Sequence, residues 1–107
     1  MADTSQAAAW PKQTALIRPL FPLGKVVATP AALALFEALN TSPLEYLVRH
    51  VLGDWGDLDA EDRQANDAAL MHGSRILSSY RLQGENRIWL VTEADRTTTT
   101  FLLPKEY

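Results

Sequence analysis

The sequence predicts an α+β fold: two or three N-terminal helices packed on a C-terminal three-stranded antiparallel meander, with a possible extra strand near the N-terminus. Three observations carry this prediction. Two apolar runs in the first half open on Thr-Pro and Ser-Pro pairs, where a hydroxyl can cap a helix and proline can occupy its first position. After Gly73 the apolar period changes from helical to alternating. Turn residues then divide the second half into three β-prone runs. At 107 residues the chain is long enough for one domain with its own core and too short for two. We expect a mobile segment at residues 1–20 and a single α+β domain over residues 21–107.

Residues 23–29 (LGKVVAT) read as a short strand or extended segment leading into a helix. Thr29 and Pro30 open that helix, good helix formers fill residues 31–39, and Asn40 offers a stop. Ser42-Pro43-Leu44-Glu45 has the form of a capping box, in which Ser42 and Glu45 satisfy each other's backbone donors. Leu44, Leu47, Val48, Val51 and Leu52 then mark an expected inner stripe, leaving Tyr46, Arg49 and His50 on the outer face, and Gly53 closes the helix. Asp59 is placed to cap a third helix over residues 60–72, with Glu61 and Asp62 at its positive end, an inner face of Ala65, Ala68 and Ala69, and Gly73 as its stop.

From Arg75 onward, Ile76, Ser78, Tyr80 and Leu82 alternate with Leu77, Ser79 and Arg81. Gln83-Gly84-Glu85-Asn86 turns the chain into a second strand, residues 87–93, and Ala94-Asp95-Arg96 turns it into a third, residues 97–103, ended by Pro104. In the middle strand Ile88 and Leu90 oppose Trp89 and Val91, so both sheet faces need cover.

Charge is the feature that points to function. Residues 54–67 hold six acids and one base, Arg63, whereas the flanks on either side each carry one more base than acid; the net charge of −3 is therefore a local patch. Asp54, Trp55, Asp57 and Glu61 are the candidate partner-binding residues: acids steer a basic partner, and a tryptophan between two glycines supplies buried area. The competing reading places Trp55 in the core beneath the loop and assigns the remaining acids to capping and solvation of a helix.

Other functions are disfavoured. With no cysteine, zinc–thiolate sites, disulfides and thiol nucleophiles are excluded. A calcium loop counted from Asp57 would require glycine where Asp62 stands and glutamate where Ala68 stands. No nucleotide-binding or hydrolase motif occurs, and no cofactor or metal is expected. The acidic balance disfavours direct nucleic-acid binding, and the absence of a long apolar run or secretory signal leads us to expect a cytoplasmic protein without a membrane segment.

The alternative enzymatic reading rests on His50 and Arg49 as general base and phosphate clamp of a small ribonuclease, laid out as in barnase-like and RelE-like enzymes, and gains weight if Tyr80, Arg75, Arg81, Arg87 and Arg96 converge on them. That likeness is one of layout only. Cations in the last turn of a helix also serve simply to stabilise its negative end.

The segments PLGKVVATPAALALFE, RHVLGDWGDLDAEDRQANDAAL and IWLVTEADRTTTTFLLPKEY resemble a family of short proteins carried on proteobacterial plasmids and integrative elements. The resemblance covers most of the chain from about residue 20 onward and is most specific in GDWGD and TEADR. It implies a mobile-element setting and brings no activity, ligand or site residues with it. The leading expectation is a non-catalytic accessory protein that binds a protein partner, of basic, nucleic-acid-handling character, through the acidic Trp55 loop. A homodimer is a further expected arrangement.

Overall fold

A computed structural model of the chain describes residues 18–107. The expected mobile segment lies outside the described residues as far as residue 17. The described chain runs through β1 (Lys25–Ala28), α1 (Pro30–Ala38), α2 (Leu44–Val51), α3 (Ala60–His72), β2 (Ile76–Arg81), β3 (Arg87–Thr92) and β4 (Thr98–Leu102), closing with a 3₁₀ turn, Pro104–Glu106. The fold is α+β. Its sheet has four strands in the order β1-β4-β3-β2: β2, β3 and β4 run antiparallel to their neighbours, but the extra N-terminal strand β1 joins β4 in parallel, so the sheet is mixed rather than the expected antiparallel meander. A parallel neighbour cannot be reached by a tight turn, and here all three helices and the β2–β3 hairpin lie between the two strands in sequence.

Alternation along the strands sorts side chains onto two faces. Ile76, Ser78, Tyr80, Ile88, Leu90, Thr92, Thr99 and Phe101 share one face, which α1 and α2 cover. Ala32 and Phe36 of α1 and Tyr46 of α2 enter a core with Tyr80, Leu82, Ile88, Leu90 and Phe101. A second cluster joins Phe21, Trp55, Ala69 and Ile76. Trp89 and Leu77 lie on the opposite face, where Tyr107 stacks edge-on against Trp89 at 5.4 Å between centroids.

The helix ends show capping chemistry at work. Thr29 Oγ1 accepts from Ala32 N at 3.1 Å, Asp59 Oδ1 accepts from Asp62 N at 2.8 Å, and Gly73 ends α3 at φ +72°. The expected capping box at α2 does not form. Ser42 Oγ accepts from Leu44 N at 3.3 Å, two residues on, and Pro43 precedes the helix without a side-chain bond.

Two inner faces also differ from expectation. In α2 the buried residues are Tyr46, His50 and Val51, whereas Leu44, Val48 and Leu52 are exposed, so the helix is turned about a quarter of a revolution from the expected setting. The aromatic groups decide this rotation. Tyr46 meets Tyr80 at 5.3 Å and Phe36 at 6.2 Å, and His50 meets Phe21 edge-on at 5.2 Å, contacts a leucine stripe would forgo. In α3, Ala65 and Ala68 are exposed while Asn66 and Ala69 are buried.

Asn66 is inside because the sheet needs it there. The outward backbone groups of the edge strand β2 belong to Leu77, Ser79 and Arg81. The Asn66 amide accepts from Leu77 N at 3.1 Å and donates to Leu77 O at 2.6 Å, imitating one residue of a neighbouring strand. Residues 55–57 do the same for Ser79, whose N donates to Trp55 O at 3.1 Å and whose O accepts from Asp57 N at 2.6 Å. This edge is thereby largely closed.

Candidate functional site

The loop after α2 holds most of the residues the sequence singles out, and the structure gives each a definite partner. Asp54 Oδ2 accepts from Arg49 Nε at 2.7 Å, and Asp54 Oδ1 accepts from Gly56 N at 3.1 Å. The Arg49 guanidinium also lies over the Tyr80 ring at 4.6 Å. This pairing holds the Asp54 carboxyl below its ordinary range and raises Arg49 above its own. Asp57 pairs with Arg87 of β3, which holds that carboxyl low as well. Both ion pairs remain about half exposed on the carboxylate side.

Trp55 is 5 % exposed. Its ring packs in the Phe21–Ala69–Ile76 cluster and its indole N–H donates to Asp67 Oδ1 at 3.1 Å. The tryptophan expected as a projecting anchor is thus a core plug, because the loop must lie flat to pair with Ser79. Gly56 permits this close approach: at φ +79° it sits so near Ser79 O and the Tyr80 ring that a side chain would overlap both. Glu61 is exposed on the first turn of α3 and joins none of these contacts.

A second tryptophan lies beside three others of the acids. Asp57, Asp59 and Asp62, with Leu58, Leu77, Ser79, Arg87 and Pro104, line a groove of about 460 Å³ in which the indole is that of Trp89, from β3. The arrangement follows from register. Trp89 pairs with Ser79, Ser79 holds residues 55–57 alongside, and the same segment leads into the Asp59 cap of α3. Alternation placed Trp89 on the face opposite Ile88 and Leu90, but the sequence offered no sign that the acidic stretch would fold back beside that face.

The residues of the enzymatic reading separate. His50 is fully buried. Its Nδ1 lies 2.6 Å from Ser78 Oγ and its Nε2 lies 2.9 Å from Thr92 Oγ1; Thr92 Oγ1 lies 2.7 Å from Thr99 Oγ1, which bonds Leu23 O at 2.7 Å. Donor counting orders this chain. A carbonyl only accepts, so Thr99 gives its one proton to Leu23 O, must accept from Thr92, and Thr92 in turn must accept from His50. The imidazole therefore carries its proton on Nε2, and Nδ1 accepts from Ser78. Burial drives its pKa down to about 4, so the ring is neutral near pH 7.

Neither ring nitrogen of His50 can reach a substrate. Arg75 lies over Tyr107 at 5.2 Å. Arg96 donates to Ser74 O at 2.6 Å and Ala69 O at 3.0 Å, and Arg87 is held by Asp57. Tyr80 gives its hydroxyl to Asp54 O at 2.6 Å. Of these groups Tyr80 alone meets Arg49, whose guanidinium lies over its ring, while Arg75, Arg87 and Arg96 are held elsewhere, so among the described residues the groups do not gather around His50. Among the described residues no three His, Asp or Glu side chains come together as a metal site, and no helix is long and apolar enough to cross a membrane. No known family model, curated protein or solved structure matches the chain.

Proposed function

We propose that this protein is a non-catalytic accessory protein that binds a basic segment of another protein in the Asp57–Asp59–Asp62 groove, with the Trp89 indole as the apolar contact. The supporting observation is that three carboxylates, one guanidinium and an indole line one surface groove. Arg87 occupies one side of Asp57, whereas Asp59 keeps one carboxylate oxygen outside its capping bond. Such a groove suits an arginine or lysine side chain whose stem lies on the indole and whose charge meets the acids. Glu61 and the Asp54–Arg49 pair lie outside it and add long-range steering. In the cytoplasmic, mobile-element setting that the sequence suggests, the partner is a nucleic-acid-handling protein whose basic surface this protein masks.

Titration of the ¹⁵N-labelled protein with an arginine-rich peptide tests the proposal. The expected result is a shift of the Trp89 indole N–H and of the Leu58, Asp59 and Asp62 amides, with binding weakened about tenfold by Trp89→Ala and by Asp62→Lys. Absence of binding, or shifts confined to another surface, overturns it.

A further inference from the structure

The opposite edge of the sheet is built differently. Lys25 N donates to Thr97 O at 2.9 Å and Thr29 N to Phe101 O at 3.0 Å, so residues 25, 27 and 29 turn their backbone groups toward β4. Val26 and Ala28 therefore direct their N–H and C=O groups away from the sheet, where no other described residue meets them. Unlike β2, this edge has no asparagine or loop of the described residues laid against it. Beside it lies an apolar groove of about 260 Å³ lined by Val26, Ala28, Leu33, Phe36, Pro43 and Phe101 among others, with Val26 41 % and Leu33 50 % exposed.

We propose that β1 pairs antiparallel with β1 of a second copy across a two-fold axis at Val27, joining two sheets into one of eight strands. The occupant is argued from self-complementarity. With Val27 facing Val27 of the second copy, Val26 stands opposite Ala28, and each of these two pairs exchanges both backbone hydrogen bonds, so all four outward N–H groups of the dimer are satisfied. The same register sets Lys25 opposite Thr29 of the other copy. Thr29 is where a carboxylate is already anchored: its Oγ1 donates to Glu106 Oε1 at 2.8 Å, and that oxygen also accepts from Leu103 N at 2.8 Å. Lys25, Val27 and Thr29 alternate onto one sheet face, so the Lys25 ammonium of each copy faces the Glu106 carboxylate of the other, twice per dimer. On the other face Val26 of one copy meets Ala28 and Leu33 of its mate, covering the exposed part of the groove. A register shifted by two residues would lose both the charge match and half of the backbone bonds.

Sedimentation equilibrium from micromolar to about millimolar concentration tests this. Wild type is expected to form a species of twice the chain mass. Val26→Pro removes only an outward N–H, leaving the β4 ladder whole, and is expected to weaken association about tenfold or more, with circular dichroism unchanged. Lys25→Glu is expected to weaken it about threefold at low salt and less at high salt. A wild-type chain that stays monomeric, or a dimer indifferent to both substitutions, overturns the proposal; in the first case the edge serves another occupant. The groove at Asp57, Asp59 and Asp62 is tested independently, since its peptide titration reads residues toward the β2 edge of the sheet.

Discussion

Acidification to pH 5 should destabilise this protein through one residue. His50 is fully buried, and its pKa falls from the ordinary 6.5 to about 4 because desolvation penalises the imidazolium. The hydrogen-bond chain supplies no negative charge to offset this. Between those two values the unfolded chain holds a proton that the folded chain refuses, so stability is complete above the unfolded value and declines as pH falls toward the folded one. Two-state linkage with these values gives a loss of about 2 kcal/mol at pH 5 and about 3 kcal/mol by pH 4. The paired or bonded carboxylates Asp54, Asp57, Asp95 and Glu106 act in a lower window. Their folded values are depressed, so their contribution persists above their ordinary values of 3.8 for Asp and 4.5 for Glu and is lost below them. At pH 5 histidine therefore dominates. Urea unfolding at pH 7 and pH 5 measures the difference, and His50→Gln, which keeps an amide in place of the ring, should flatten it to a few tenths of a kcal/mol. Equal stability of wild type at the two pH values, or an unchanged pH slope in His50→Gln, would refute the reasoning.

Two further outcomes concern the closed sheet edge. Asn66→Ala removes the amide that serves both backbone groups of Leu77 and leaves them unpaired in a partly buried place; the expected cost is about 1–2 kcal/mol, with faster hydrogen exchange at the Leu77 amide. Unchanged exchange at that amide would show that another group closes the edge. Gly56→Ala adds a side chain at φ +79° against Ser79 O and the Tyr80 ring, so thermal unfolding should show a loss of about 3 kcal/mol or more, whereas Gly84→Ala, at φ +64° on an open turn, should lose only about 1 kcal/mol. Similar losses at the two glycines would remove the claim that the loop is pressed onto the edge.

Local chemistry was legible in the sequence at several element ends, though not at Ser42, where the expected capping box does not form. Thr29-Pro30, Asp59 and Gly73 bound helices because capping needs only a side chain and the next turn of backbone. The β2–β3 turn at residues 83–86 follows from the same kind of short-range requirement. The α+β class followed from the change of period after Gly73, and the patch of negative charge from simple position.

Tertiary packing decided the rest. The rotation of α2 places Tyr46 and His50 against aromatic partners on α1, β2 and the Phe21–Trp55 cluster, residues far apart in sequence. His50 accordingly moved from an expected outer face to the centre of a buried hydrogen-bond chain. The parallel placement of β1, the use of Asn66 as a substitute strand residue, and the placement of Trp89 beside Asp57, Asp59 and Asp62 all depend on which backbone groups a sheet leaves unpaired. Composition and periodicity reveal which residues prefer burial or charge, but unpaired edges come into being only once the strands have been ordered, and the side chains that close them are recruited by proximity in space.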